Sequence, residues 1–363
     1  MKYIIEIILA EDSLIKKTLS CPYYMSNGKS DIVTFSTKCI SIEAERSKSY
    51  SEEDIFKNVQ NSLYNQMFKS LLYHYSVNGD KAAITRITVT VVAAGKQSML
   101  ATREFTAADQ PLPVAAPLFT LDKLSLELLM GETDDAYNLR LTMVHWLSAM
   151  GESDTKNRLE CLWRAFERIC IYRRHRNRDE IPYVPKAPGE MVKELQMHSR
   201  RYPMAMSLAR RMTYDELRKL MWHDLMEGTY KSRFDLDNER DKAKFKKKYL
   251  DEFVNQFKDI RVVTLLYETL RYMKKELDAI DHQYNNVETD LSNRISANVC
   301  RDADVLALMT CHYAYFLRIR LFHGHSLVKC SIFDKHTEKM GVGVTAQILE
   351  TLVAELINNF GRL

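Results

Sequence analysis

The sequence predicts a mainly α protein, with a small N-terminal α+β domain followed by a longer all-helical one. Three observations carry this. In the first hundred residues, short runs rich in β-branched residues surround a single long amphipathic pattern. The stretch "AADQPLPVAAPLF" (107–119) then places Pro111, Pro113 and Pro117 within seven residues, which removes backbone donors and resists helix. Beyond it, apolar residues recur at helical spacing almost to the end of the chain.

The strands are expected at "KYIIEIILA" (2–10), "DIVTFSTKCISIEAE" (31–45), "ITRITVTVVAAG" (84–95) and "MLATREFTA" (99–107). Between them, Ser51 and Asp54 stand in capping-box spacing, and Ile55, Val59, Leu63, Met67 and Leu71 repeat every four residues. That spacing predicts one amphipathic helix over 51–76, ended by "VNGD" (77–80). An antiparallel sheet crossed by one helix gives an α+β domain over 1–108. Residues 109–133 form a proline-rich linker with a connecting helix, and 134–363 form the helical domain. Helices are expected at 134–151, 157–174, 190–200, 204–226, 234–258, 261–288, 301–323 and 345–360, with a loop at 182–190. "LVKCSIF" (327–333) reads either as a hairpin arm or as an irregular connection.

Composition narrows the function classes. The net charge is only +4 over 363 residues, yet "YRRHRNR" (172–178), "SRR" (199–201) and "KAKFKKK" (242–248) are concentrated basic blocks. Each block alone is ordinarily a solvated helix face. Together they make nucleic acid a reasonable partner, because such patches can follow a phosphate backbone. Seven scattered cysteines without paired spacing point to reduced thiols in a cytoplasmic protein and to no structural metal. No apolar run approaches the ~18 residues that span a bilayer, and the N-terminus reads as a strand, not a signal peptide. There is no glycine-rich phosphate loop, which argues against a nucleotide-dependent enzyme of that kind and leaves no cofactor expected.

The chemistry-bearing segment is "FLRIRLFHGHSL" (316–327), which puts two arginines and two histidines into eight residues, Arg318 to His325. A histidine near neutral pKa can take the proton of an RNA 2′-hydroxyl or give one to the leaving oxygen. An arginine can hold the phosphate and stabilise the charge that develops on it. Spacing alone is weak, since Arg140/His145, Arg218/His223, Arg318/His323 and Arg320/His325 all share it. In a continuous helix, positions five apart also lie about 140° from each other. The pair converges only if the helix ends near the histidine or a second chain completes the site. Gly324 supplies a stopping point that the matches at 140/145 and 218/223 lack. Without further context, Arg318 and His323 read as cations complementing a helix C-terminus.

"YFLRIRLFHG" resembles the signature of HEPN-domain proteins, whose fourth core helix carries Arg, a polar residue, a few variable residues and then His. Its "HG" ending is similar to the Apea-like HEPN branch, as is "RLECLWRAFERICIY" (158–172), with Trp163, Ala165 and Glu167. The resemblance covers roughly 134–363 and leaves the N-terminal domain outside it. It implies an all-α HEPN-like bundle that dimerises, so that two Arg–His pairs form one composite cleft acting as a metal-independent endoribonuclease. Arg318 would hold the phosphate and His323 would serve as acid/base, with Arg320, His325 and Glu167 supporting. RNA would be the substrate, bacterial stress or antiphage defence the setting, and an inhibitory or activating protein a compatible partner. One departure bears on activity: Ile319 stands where the family usually has a polar residue. The rival reading is a non-catalytic HEPN-like dimer that binds RNA or protein. Trp163 and Phe166 read as core, His145 as packed or capped, and Tyr315 as packing with a lesser option of phosphate contact.

Overall fold

In β1 (Lys2–Leu9), Tyr3, Ile5, Ile7 and Leu9 are buried while Ile4, Glu6 and Ile8 face the other way. That period of two gives the sheet one core face and one open face. The computed structural model describes residues 1–24, 26, 28–115, 120–176, 187–223, 255–276, 282–322 and 335–362. Within them the chain is mainly helical, with one six-stranded antiparallel sheet near the N-terminus. It divides into two compact units, Met1–Arg173 with Leu356–Leu363, and Arg174–Glu355. The division falls inside a helix, and the proline-rich segment lies within the first unit.

In the first unit the sheet order is β2-β3-β4-β1-β5-β6, with β2 at Lys17–Pro22, β3 at Ser30–Phe35, β4 at Cys39–Glu45, β5 at Ile84–Ala93 and β6 at Lys96–Glu104. The expected single strand over 31–45 is thus a hairpin. Ser36 closes its turn, with Oγ accepting from the Cys39 amide at 3.2 Å and donating to the Cys39 carbonyl at 2.7 Å.

The expected single helix over 51–76 is also two, α1 (Glu52–Phe56) and α2 (Ser62–Asn78). The capping box of Ser51 and Asp54 is present. The break comes from asparagines that bind their own backbone: Asn58 Oδ1 accepts from Gln60 and Asn61 Oδ1 from Leu63. Val59, assigned to the apolar stripe by sequence, is consequently 64% exposed. Nearly all of α2 is buried, because it lies between the sheet and the helices α3 (Lys123–Leu126) and α4 (Asp134–Gly151). Phe35 of β3 meets Tyr73 of α2 edge-on at 5.2 Å.

A helix covered on all sides must satisfy its polar groups internally. His74, fully buried on α2, uses Nε2 toward the Ala82 carbonyl at 3.0 Å and Nδ1 toward Asn78 at 3.0 Å. Burial pushes its pKa down from 6.5 to about 4, against the weaker upward pull of the Ala82 hydrogen bond. As pH falls below ~6.5 the unfolded chain takes up a proton that the folded chain refuses. Stability is therefore full above that pH and is lost progressively toward pH 4, by about 3 kcal/mol in total. Denaturation midpoints measured from pH 7 to pH 4 should fall in the wild type and fall less steeply in His74→Gln.

The first unit is completed by α5 (Thr155–Arg176), up to Arg173, and by the chain's last residues. Tyr172 of α5 stacks on Phe360 at 4.4 Å, and Asn358 Oδ1 accepts from the Asp122 amide at 2.8 Å.

The second unit is helical: α6 (Ala187–Met197), α7 (Pro203–Arg211), α8 (Tyr214–His223), α9 (Ile260–Glu276), α10 (His282–Ala297), α11 (Asp302–Ala307), α12 (Ala314–Phe322) and most of α13 (Lys335–Asn358). The helix expected over 204–226 is split at Thr213. Its hydroxyl accepts from the Glu216 amide, and the Glu216 carboxylate accepts in return from the Thr213 amide. Of the helix expected over 261–288, α9 covers the part to Glu276 and α10 the part from His282, and residues 277–281 lie outside the described ones. Those expected at 234–258 and the segment 327–333 fall largely or wholly outside the described residues.

Candidate functional site

The segment bearing Arg318 begins at an anchored helix start. Asp304, fully buried in the first turn of α11, accepts from the backbone amides of Lys258 (2.5 Å) and Asp259 (2.9 Å) and from Gln196 Nε2 (2.9 Å). Asp259, also fully buried, accepts from the Arg301 amide with Oδ2 and holds Arg261 through both carboxylate oxygens at 2.9 Å. Arg261 reaches on to Asp302 at 3.0 Å and to the Met212 carbonyl at 2.9 Å. These charges serve the amides left free at the starts of α9 and α11.

From there the helix runs deep in the core. Val305, Leu306, Ala307, Met309 and Ala314 are fully buried. Residues Leu308–Tyr313 widen into a π-helical segment, in which the Ala314 amide bonds the Met309 carbonyl five residues back. Gly341 of α13 meets this segment closely. A Cβ there would lie 2.8 Å from Tyr313 Oη and 3.2 Å from Leu220 Cδ2, so glycine is the residue that fits. His312 sits in the widened turn, with Nε2 at 3.2 Å from Gln256 Oε1 and the Phe257 ring edge-on at 5.7 Å. Burial lowers its pKa to about 4, which favours the neutral ring at pH 7.

Ordinary helix then resumes as α12, and Arg318 sits half-buried on it. The helix continues through Phe322, so the backbone is regular for four residues past Arg318. Arg320 lies on the same helix, with its side chain outside the described residues. His323 and His325 lie outside them altogether. Convergence of Arg318 with His323 is therefore a matter of the residues after Phe322.

No family model, no curated protein and no solved structure matches this chain.

Glu167 stands half-buried on α5 in the first unit, while Arg318 belongs to the second. Trp163, Ala165 and Phe166 around it are fully buried, with Trp163 and Phe166 rings 5.7 Å apart. Of the basic blocks, Arg201 is engaged with Glu194 at 3.2 Å, and the residues of 242–248 lie outside the described ones. Among the described residues no helix is long and apolar enough to cross a membrane, and no three His, Cys, Asp or Glu side chains cluster as a metal site would require.

Two features escaped the sequence reading. The π-helical turn has no spacing signature within "LMTCHY". The buried carboxylates Asp259 and Asp304 look like ordinary surface acids in "KDIR" and "RDADV". The helix-start signal of acids in the first turn was legible there, but not the pairing between two chain segments some forty residues apart.

Proposed function

We propose that this chain is a metal-independent endoribonuclease of the HEPN type, acting as a homodimer in the cytoplasm with RNA as substrate, in stress response or antiphage defence. The observation that carries the reading is the Arg318–His323 spacing in the sequence, with Arg318 half-buried on α12, which follows a helical run whose start is pinned by Asp304. In the reaction His323 takes the proton of a 2′-hydroxyl, and the freed oxygen attacks the adjacent phosphorus. Arg318 holds the phosphate oxygens as charge builds on them. The bond to the 5′-oxygen breaks, that oxygen receives a proton from the second histidine of the dimer, and a 2′,3′-cyclic phosphate remains. Arg320 and His325 support the pair. The N-terminal α+β part would be the sensing or regulatory element, and an inhibitory or activating protein would set when cleavage occurs.

A second reading, a non-catalytic dimeric HEPN-like module that binds RNA or protein, draws on one observation: Ile319 occupies the position after Arg318 where a polar residue would assist the phosphate. RNA cleavage in excess EDTA separates the two. The nuclease should yield cyclic-phosphate ends that drop by about 100-fold or more in both His323→Ala and Arg318→Ala. Binding and dimerisation without cleavage of total RNA favours the module, and cleavage untouched by either substitution overturns the assignment of the residues.

A further inference from the structure

The helices α4 and α5 are joined by residues 152–154 and run antiparallel, since Tyr137 meets Arg168 while His145, two turns further along α4, feels Arg164 and Glu160 earlier on α5, and these stripes carry a set of groups unused by the reading above. From α4 come Tyr137, Leu141 and His145, and from α5 come Glu160, Arg164 and Arg168, each series four residues apart and so on one helix face. The antiparallel pairing brings Arg168 to the Tyr137 ring, with the guanidinium carbon 5.8 Å from its centroid. It also brings His145 to Arg164, Arg168 and Glu160. Burial and then the two arginines lower the His145 pKa, while Glu160 opposes them.

The balance of partners between these two stripes is uneven. Arg164 has a carboxylate, with its Nε 2.9 Å from Glu160 Oε1. Arg168 has none. Its Nε is buried without a hydrogen-bond partner, and it makes no hydrogen bond or ion pair among the described residues, only its contact with the face of Tyr137. A partly buried cation in this state gains from any anion that reaches it. Tyr137, 52% exposed, presents its aromatic body beside that cation.

We propose that the α4–α5 groove binds one nucleotide of a single-stranded RNA, its phosphate on Arg168 and Arg164 and its base stacked against Tyr137. A phosphate meets the unpaired guanidinium, and aromatic stacking beside cations is how single strands are held without regard to sequence. A bound phosphate also favours the protonated form of His145, which becomes a third donor to it. Glu160 keeps Arg164 turned along its own helix, which leaves Arg168 the principal contact. The site lies in the first unit, and Arg318 belongs to the second. It rests on the RNA reading for the identity of the polyanion alone; the affinity of the groove for phosphate does not.

The test uses the full chain carrying His323→Ala, so that cleavage does not confuse binding. The probes are inorganic phosphate, uridine monophosphate and a uridine hexanucleotide. The expected result is that the hexanucleotide binds most tightly and raises the His145 pKa, followed by NMR and assigned through His145→Gln. Adding Arg168→Gln weakens its binding roughly tenfold and lowers the slope of log affinity against log salt by about 1. Tyr137→Leu weakens it roughly tenfold as well. Arg168→Lys, which retains the charge, recovers part of the loss and shows that the effect is not one of misfolding. Hexanucleotide binding indifferent to Arg168→Gln and Tyr137→Leu overturns the groove while leaving the nuclease reading standing. Equal affinity for the monophosphate and the hexanucleotide overturns the assignment to a strand and assigns the groove to free nucleotides. A His145 signal unmoved by all three probes overturns the proposal outright, and EDTA-resistant cleavage by the wild-type chain then speaks separately for the nuclease.

Discussion

Arg46→Met should lower the stability of the first unit by about 3–5 kcal/mol, the range expected when one member of a buried ion pair is removed. Arg46 and Asp31 are 7% and 2% exposed, and the guanidinium grips both carboxylate oxygens, at 2.7 and 2.6 Å. Gln66 Nε2 donates to the same carboxylate at 2.8 Å, Arg46 Nε donates to Ser62 Oγ at 2.8 Å, and the Tyr23 ring lies 3.9 Å beneath the guanidinium. Losing Arg46 leaves Asp31 charged, buried and served by one amide, while α2 loses a tie to the end of β4. A thermal melt with hydrogen exchange of the β3 and β4 amides checks this. The double variant Arg46→Met/Asp31→Leu should be more stable than Arg46→Met alone, because the cost comes from the orphaned charge. If the single substitution is silent, the pair does not hold the sheet to α2.

The second large effect is expected from Asp304→Ala. It strips acceptors from two backbone amides and one side-chain amide, each about 1–3 kcal/mol when left buried and unmet. Water entering the space offsets part of that, so a net loss of about 3–5 kcal/mol is expected for the second unit. Asp304→Asn keeps one oxygen acceptor and should fall between the two. Chemical denaturation of the three proteins orders them. Since Asp304 anchors the start of the helical run that leads into α12 and Arg318, the proposed EDTA-resistant cleavage should fall in Asp304→Ala even at temperatures where the protein remains folded. Full activity there would separate the helix's anchored start from its chemistry.

Elements with unbroken periodicity were legible in the sequence. The helix at 134–151 was read with its observed bounds, and β1 lies within the run assigned to it. What went unread was wherever a side chain interrupts its own backbone. The asparagines at 58 and 61 cut one helix in two, Ser36 folds one strand into a hairpin, and the capping box at Thr213 divides another helix, all inside stretches whose apolar spacing looked continuous. Lys17–Pro22 was missed as a strand because, at the sheet's edge, it carries only Leu19 and Cys21 as apolar residues. Of the candidate site, Arg318 and Glu167 were placed on helices as the sequence suggested. The pairing of Arg168 with Tyr137 was implicit in the four-residue spacing of both helices. It becomes visible only once the two are known to run antiparallel.

The stack of Tyr172 on Phe360 has a consequence for how the protein is made. The unit containing residues 1–173 is finished by residues 356–363, with the whole second unit intervening in the chain. At ~5–20 residues per second, the ribosome needs roughly 10–40 s to deliver the missing piece. During that interval the sheet and α2 can form, but the seam at Tyr172 stays unsealed while the later helices emerge. The part translated first is the part completed last, and the seam is where a chaperone would have its longest opportunity to bind.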